Sequence, residues 1–308
     1  MLVRIGTRGS RLALAQAKSV AALLRSKNKD LRARIVIIKT LGDEFQSVEL
    51  FKKTNVGVFT KAIEKALLTR KIDLAVHSLK DLPTDLPRGS VLAAVPKRED
   101  PRDCLVSKNK YTLKSLPTGA SVATGSPRRK RQILKARPDL KLVDVRGNLD
   151  TRIGRVLKEN KYDAVVLAAA GLRRLGRYLN FAKMIPVPSV LPAVGQAALG
   201  LQVRSGDKNL FKAVRRLNHT PTERAVGAER AFLKTLQGGC RVPVGVHVRI
   251  RAGKLHFTAA VFSTRSDAMV SGTIVARADK AVLAAQKLAR ALLKKGAIKF
   301  MKEARHVG

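Results

Sequence analysis

Residues 121–136 read Ser121-Val122-Ala123-Thr124-Gly125-Ser126-Pro127-Arg128-Arg129-Lys130-Arg131-Gln132-Ile133-Leu134-Lys135-Ala136. Ser121–Thr124 reads as a short strand and Pro127–Ala136 as a helix, because Pro127 is preset for a first helical position and Ser126 can cap it. The alternation continues with a strand at Lys141–Val145, a helix at Leu149–Glu159 and a strand at Ala164–Ala168. Strands alternating with helices predict parallel, doubly wound α/β layers.

Outward from this stretch, the first hundred residues follow a similar order. Leu2–Gly6 reads as a strand, Thr7–Gly9 as a loop, and Ser10 to about Ser26 as a helix with Leu12, Ala15, Val20, Leu23 and Leu24 as its apolar positions. A strand at Arg34–Thr40, a helix at Phe59–Thr69 and a strand at Ile72–Val76 follow. Pro83, Pro87 and Pro96 then mark a loop-rich passage. After Pro221 the pattern changes to a helix at Glu223–Leu236, the loop Gly238-Gly239-Cys240, and strands at Val242–Ile250, Leu255–Ser263 and Met269–Ala276. Turns at Ala252-Gly253 and Ser266-Asp267 separate them, and a helix at Lys280–Lys294 closes the chain. The expected fold class is α/β, with two related lobes and a smaller α+β C-terminal domain built on a three-stranded antiparallel sheet.

A chain of 308 residues exceeds one ordinary core. Aromatics make up 4% of it and Trp is absent, so Val, Leu, Ile and Ala must fill the interior. The apolar run Ala164–Leu172 is too short to span a bilayer, and the N-terminus lacks a secretory pattern. Cys104 and Cys240 form no C-x-x-C pair, which points away from a disulfide scaffold or zinc site and towards a reducing compartment. Against 22 acidic residues stand 62 Lys and Arg, a net charge of +40 that attracts polyanions and acidic small molecules alike. Much of it lies on helices, as in Lys287–Lys302, and reads as solvated faces.

Ligands of open α/β sheets bind beyond the carboxyl ends of the strands, where helix N-termini also point. Four such junctions carry arginine beside small residues: Thr7-Arg8-Gly9-Ser10; Thr124 to Arg129; Arg146-Gly147-Asn148 with Arg152; and Gly171-Leu172-Arg173-Arg174. Arginine forks suit carboxylates or phosphates. His77-Ser78-Leu79-Lys80-Asp81 places a cation and a carboxylate at another strand end, where Asp81 could stabilise a developing positive charge. His77 reads as a packed strand-end histidine, and Cys104 as a core residue at a strand start. Cys240 supports two readings: a small buried hydrophobe, or an accessible loop thiol suited to covalent attachment. No phosphate-binding loop, dinucleotide turn, H-E-x-x-H or G-x-S-x-G motif occurs.

Together the segments resemble the porphobilinogen deaminase family over nearly the whole chain. The resemblance rests on Ile5–Ser10 with Leu12, Ala13 and Gln16, Asp73–Pro83, Arg98–Asp103, Thr124–Arg129, Arg146–Asn148 with Thr151 and Arg152, Ala170–Gly176, Leu191–Gln196 and Gly238–Cys240. It implies two doubly wound lobes like those of periplasmic binding proteins plus a third domain: residues 1–97 with 197–216, residues 98–196, and residues 217–308. It also implies that four porphobilinogen molecules are deaminated and condensed to hydroxymethylbilane on a dipyrromethane cofactor, without a metal.

By the same resemblance Cys240 would hold the cofactor as a thioether, and Lys80, Asp81, Thr124, Ser126, Arg128 and Arg129 would bind it. Arg8, Ser10, Gln16, Lys52, Phe59, Arg146, Asn148, Arg152 and Arg174 would handle substrate and growing chain, with Asp81 as the catalytic group. Two features depart from the family's pattern: Val56 stands where a second lid lysine is usual, and the net charge is unusually high.

A non-enzymatic two-lobed protein for an acidic ligand would need neither Cys240 nor Asp81. A nucleic-acid-binding protein would be supported by charge alone, without stacking aromatics or zinc ligands. The expected partner is therefore porphobilinogen, with no specific nucleic acid and no membrane. The expected form is a cytoplasmic monomer, with a processed plastid protein as the alternative location.

Overall fold

The computed structural model describes residues 1–40, 60–237 and 242–306, with side chains through residue 304. Its strands in chain order are β1 (Leu2–Thr7), β2 (Arg32–Ile37), β3 (Leu74–Ser78), β4 (Ser90–Ala94), β5 (Asp103–Val106), β6 (Ser121–Ala123), β7 (Lys141–Val143), β8 (Ala164–Ala168), β9 (Ala182–Met184), β10 (Leu199–Arg204), β11 (Val244–Arg251), β12 (Lys254–Phe262) and β13 (Met269–Arg277). The helices are α1 (Arg11–Lys27), α2 (Lys61–Leu68), α3 (Pro127–Ala136), α4 (Leu149–Leu157), α5 (Ala169–Leu175), α6 (Lys208–Arg215), α7 (Thr220–Thr235), α8 (Ala281–Leu292) and α9 (Ile298–His306). Lys52, Val56, Phe59 and Cys240 lie outside the described residues.

The chain divides into two compact units, residues 1–99 with 197–223 and residues 100–196 with 224–308. In the first, the strand order is β2-β1-β3-β10-β4. β1 runs parallel to β2 and β3, whereas β10 is antiparallel to β3 and β4. In the second unit one sheet has the order β7-β6-β8-β5-β9, parallel through β6 and its neighbours and antiparallel at β5.

The expectation of parallel layers therefore needs correction: both sheets are mixed. The antiparallel strand in each is the one the chain forms on entering that unit, β5 after residue 99 and β10 after residue 196. β4 also lies inside the passage read as loop. Its run Val91-Leu92-Ala93-Ala94 fits between Pro87 and Pro96 at a sheet edge, where proline is tolerated.

On α1, Gln16, Ala17, Val20, Ala21 and Leu24 are buried, a stripe at helical period, while Leu23 turns towards solvent. That stripe covers one sheet face with Val3, Ile5, Leu74 and Leu201, joined by Leu210 and Val214 of α6. Ile63 and Leu67 of α2 cover the other face against Ile72. Each fully buried Leu or Ile here contributes roughly 1.5–3 kcal/mol.

The second unit also carries the expected antiparallel sheet β11-β12-β13. Ala252 and Gly253, both with positive φ, close the two-residue hairpin between β11 and β12. Phe232 of α7 meets Phe257 at 5.3 Å between ring centres, and Ala285, Leu288 and Leu292 of α8 complete this core. α8 ends at Leu292, close to the expected end near Lys294. A wide turn follows, with Gly296 at φ 105°, and α9 then packs Met301 back onto the core. Lys287, Lys294, Lys295, Lys299 and Lys302 are exposed, as their reading as solvated faces requires.

Candidate active site

In the first unit the strand-end residues converge. Ser10 caps α1 by accepting from the Ala13 amide at 3.3 Å, and the Thr7 hydroxyl donates to the Ala13 carbonyl at 3.1 Å. One turn on, Gln16 is buried and donates from Nε2 to Ser78 Oγ at 3.0 Å. β3 ends at Ser78, and the chain turns at once into a single 3₁₀ turn, Leu79–Asp81. The Leu79 amide donates to the Ala198 carbonyl at 3.0 Å, which ties that turn to the entry of β10.

Arg8, Ser10, Gln16, Ser78, Lys80 and Asp81 thus line one cavity of about 150 Å³. It places an arginine, a lysine and a carboxylate beside hydroxyl and amide donors. That chemistry suits a small molecule bearing carboxylates and an N–H.

His77 is buried on β3 with Nε2 2.9 Å from Gln202 Oε1. Burial lowers it to about 4 against the opposing pull of that hydrogen bond. Gln202 in turn donates to Ser90 Oγ at 2.8 Å. The histidine is a neutral member of an interior polar chain, as its reading as a packed residue expected.

In the second unit Thr124 is buried and its hydroxyl accepts from the Ser126 amide at 3.3 Å. Ser126 occupies the cap of α3 with extended backbone, but its side chain makes no capping hydrogen bond. The expected cap is thus one of position and not of side chain. Gly147, at φ 106°, turns the chain so that Asn148 caps α4, accepting from the Thr151 amide at 2.9 Å. Arg152 then donates to the Gly147 carbonyl at 2.8 Å. Arg146, Arg152 and Arg174 are half-buried.

Arg128 and Arg129 were expected as forks open to ligand, yet they are 5% and 6% exposed. Both meet Asp103, which is fully buried: Arg128 Nη1 lies 2.8 Å from Oδ2, and Arg129 Nη2 lies 2.7 Å from Oδ1. Arg128 also donates to the Leu191 carbonyl, Arg129 to the Val166 carbonyl, and Gln196 Nε2 to Asp103 Oδ1. Burial alone would raise the Asp103 carboxyl. The two guanidiniums more than offset this and hold it well below the usual carboxylate range.

Nothing local in the sequence marks Asp103 for this role, since its partners stand 25 and 26 positions away. Cys104 next to it is fully buried on β5, as expected, and burial followed by the Asp103 charge pushes its thiol up to about 12. Among the described residues no three His, Cys, Asp or Glu side chains cluster as a metal site, and no helix is long and apolar enough to cross a membrane.

Two mixed α/β sheets, with arginines at strand ends and a lysine–aspartate turn beside a polar cavity, define a class of protein that handles carboxylate-bearing small molecules. Two family models match the chain: "Porphobilinogen deaminase, dipyromethane cofactor binding domain" over residues 3–212, and "Porphobilinogen deaminase, C-terminal domain" over residues 224–294. The chain belongs to the porphobilinogen deaminase family.

Relatives named porphobilinogen deaminase include that of Syntrophomonas wolfei, 45% identical over 98% of this chain and 99% of that protein. That of Chloroherpeton thalassium is 48% identical over 84% of this chain and 82% of its own length. That of Desulforudis audaxviator is 47% identical over 96% and 95%. Among solved structures, the BenM effector-binding domain with benzoate aligns at TM-score 0.42 and 14% identity, over 70% of this chain and 91% of that one. A probable amino-acid transporter binding protein, YtmK of Bacillus subtilis, aligns at TM-score 0.42 and 11% identity, over 70% and 90%. As a member of its family the protein is a transferase of tetrapyrrole biosynthesis that makes hydroxymethylbilane from porphobilinogen on a dipyrromethane cofactor.

Proposed function

We propose that Asp81 is the catalytic group of this reaction and that Cys240 carries the cofactor through a thioether. The observation that carries the reading is the cavity of the first unit, where Asp81 and Lys80 share one turn with Arg8, Ser10 and Gln16 on its walls. Lys80, Thr124 and Ser126 would meet the cofactor's carboxylates and Asp81 would accept from pyrrole N–H groups, while Arg128 and Arg129, already bound to Asp103, would serve it through their positive charge and any N–H left over. When bound, the dipyrromethane supplies the terminal pyrrole carbon on which the chain grows.

The protein's own contribution is to orient and to stabilise charge. Arg8, Ser10, Gln16, Lys52, Phe59, Arg146, Asn148, Arg152 and Arg174 would bind porphobilinogen and the lengthening product, arginine forks fixing each ring by its acetate and propionate. As ammonia leaves the aminomethyl group, positive charge develops on the substrate pyrrole. A carboxylate held by a short turn at a strand end stabilises that charge more in the transition state than in the ground state.

The same reading divides the chain into three domains, at 1–97 with 197–216, 98–196 and 217–308. It describes a cytoplasmic monomer with no sequence-specific nucleic-acid partner and no membrane partner. Denaturing intact-mass measurement tests it. The protein should carry an added mass of two linked pyrroles, absent from Cys240→Ser and extended stepwise by porphobilinogen. An unmodified protein that stays unmodified with substrate would overturn the assignment.

A further inference from the structure

The register of the C-terminal sheet lines up like charges. Arg251 on β11 stands opposite Lys254 on β12, and Lys254 stands opposite Arg277 on β13. In the next row along the strands Arg249 stands opposite His256, and His256 opposite Val275. Directly opposed residues project to one side of a sheet, so all six share a face. Val248, Leu255, Phe257 and Ile274 alternate with them and pack in the core on the other face. The six are all exposed. A carboxylate that meets the set is Asp279, which accepts from Arg277 Nε at 3.2 Å and Nη2 at 3.1 Å.

Like charges directly opposite one another destabilise a sheet. The hairpin at Ala252-Gly253 fixes the pairing, and a slip of one residue would turn Leu255 and Phe257 out of the core, so the row cannot relax by sliding. Strands about 4.8 Å apart, with rows about 7 Å apart, make this a rigid cationic grid roughly 10 Å wide.

We propose that this face docks the phosphodiester backbone of duplex nucleic acid, RNA or DNA, without reading its sequence. The ring in these two rows is the His256 imidazole, with no Phe, Tyr or Trp beside it to build a stacking platform, which favours a duplex over a single strand. A lipid surface would demand apolar side chains beside the cations. Here Val275 is the single exposed apolar side chain in the two rows, and the exposed Val282 and Leu283 belong to α8, which packs against the opposite face of the sheet. The net charge of +40 adds long-range attraction, and the grid gives it a place to land.

Fluorescence anisotropy with labelled duplexes of about 20 base pairs, one DNA and one RNA, titrated with the full chain from about 50 to 300 mM salt, tests this. Replacing Arg249, Arg251, Lys254 and Arg277 together by Gln should make the slope of log K against log salt shallower by roughly 3 to 4, and weaken binding at low salt at least about tenfold. Replacing Lys287, Arg290, Lys294 and Lys299 by Gln removes the same charge from exposed helix positions and should change the slope by less than about 1.

The single variant Lys254→Gln adds a second reading. It should raise the melting temperature of the free protein, by removing the middle like charge, while weakening duplex binding. Tighter binding of one duplex type names the partner. Equal losses in the two fourfold variants would assign the attraction to diffuse charge and overturn the proposal. Failure of the parent chain to bind either duplex, or capture by phosphatidylserine vesicles without duplex binding, would do the same.

Discussion

Asp103 and Arg128 form an ion pair almost sealed from water, with Nη1 2.8 Å from Oδ2 and the carboxylate fully buried. Arg129 shares that carboxylate, so two cations rest on one anion among β5, α3 and the carbonyls of Leu191 and Val166. Removing one member of such a cluster leaves charge buried without compensation, which costs more than the pair contributes when intact. Asp103→Asn is expected to lower unfolding stability by about 3–5 kcal/mol, read from urea denaturation at neutral pH. A loss below about 1 kcal/mol would show that the arginines find water or another anion once Asp103 is neutral.

His77 makes the first unit sensitive to acid. Its folded pKa is lowered to about 4, chiefly by burial, so the unfolded chain takes up a proton at a higher pH than the folded one. The stability linked to its neutral form is complete above the ordinary histidine value near 6.5 and is lost as pH falls towards 4. The whole interval corresponds to about 3 kcal/mol. His77→Gln keeps an amide for Gln202 and removes the titration, so its urea midpoint should fall less steeply than the parent's over this interval. Parallel midpoint curves for the two proteins would rule the histidine out as the source.

Cys104 should be inert in the folded protein. It is fully buried on β5 and its thiol is pushed up to about 12, first by burial and then by Asp103. In a Cys240→Ser background, a disulfide reagent at about pH 8 should find less than about 0.1 equivalent of thiol within minutes, and one equivalent in denaturant. Rapid labelling of the native variant would mean that β5 opens readily.

Much of this was legible in the sequence because the decisive signals are local. Pro127 fixed the start of α3, the hairpin pair Ala252-Gly253 separated β11 from β12, and the apolar run at Ala164–Ala168 coincides with β8. What escaped depends on distant partners. The antiparallel direction of β10 follows from where the chain re-enters the first unit, which no residue within Leu199–Arg204 encodes. Arg128 and Arg129 look like open forks until β5 brings Asp103 beneath them. The lysines of Leu293–Ala297 prolong a helical pattern that Gly296 interrupts.

Asp81 gives the sharpest test of the catalytic reading. Its backbone is fixed by the 3₁₀ turn Leu79–Asp81, whose Leu79 amide is anchored to Ala198, so a side-chain change there should leave the cavity walls in place. Asp81→Asn keeps size and one acceptor oxygen but removes the negative charge. If the carboxylate stabilises positive charge on the substrate, the rate of each porphobilinogen addition should fall by about 10²–10³ or more. The covalent cofactor, once loaded, should remain detectable by intact mass. Asp81→Glu restores the charge about one methylene too far out and should recover part of the rate, because misplacement of about 1 Å already costs around 10²-fold. Rapid-quench mass spectrometry of single additions separates these effects from binding, since a ground-state role would raise the substrate concentration needed and leave the maximal rate intact. An Asn variant that turns over at the parent rate once saturated would return Asp81 to the ranks of ordinary surface partners and move the search to Lys80 and Arg8 on the same walls.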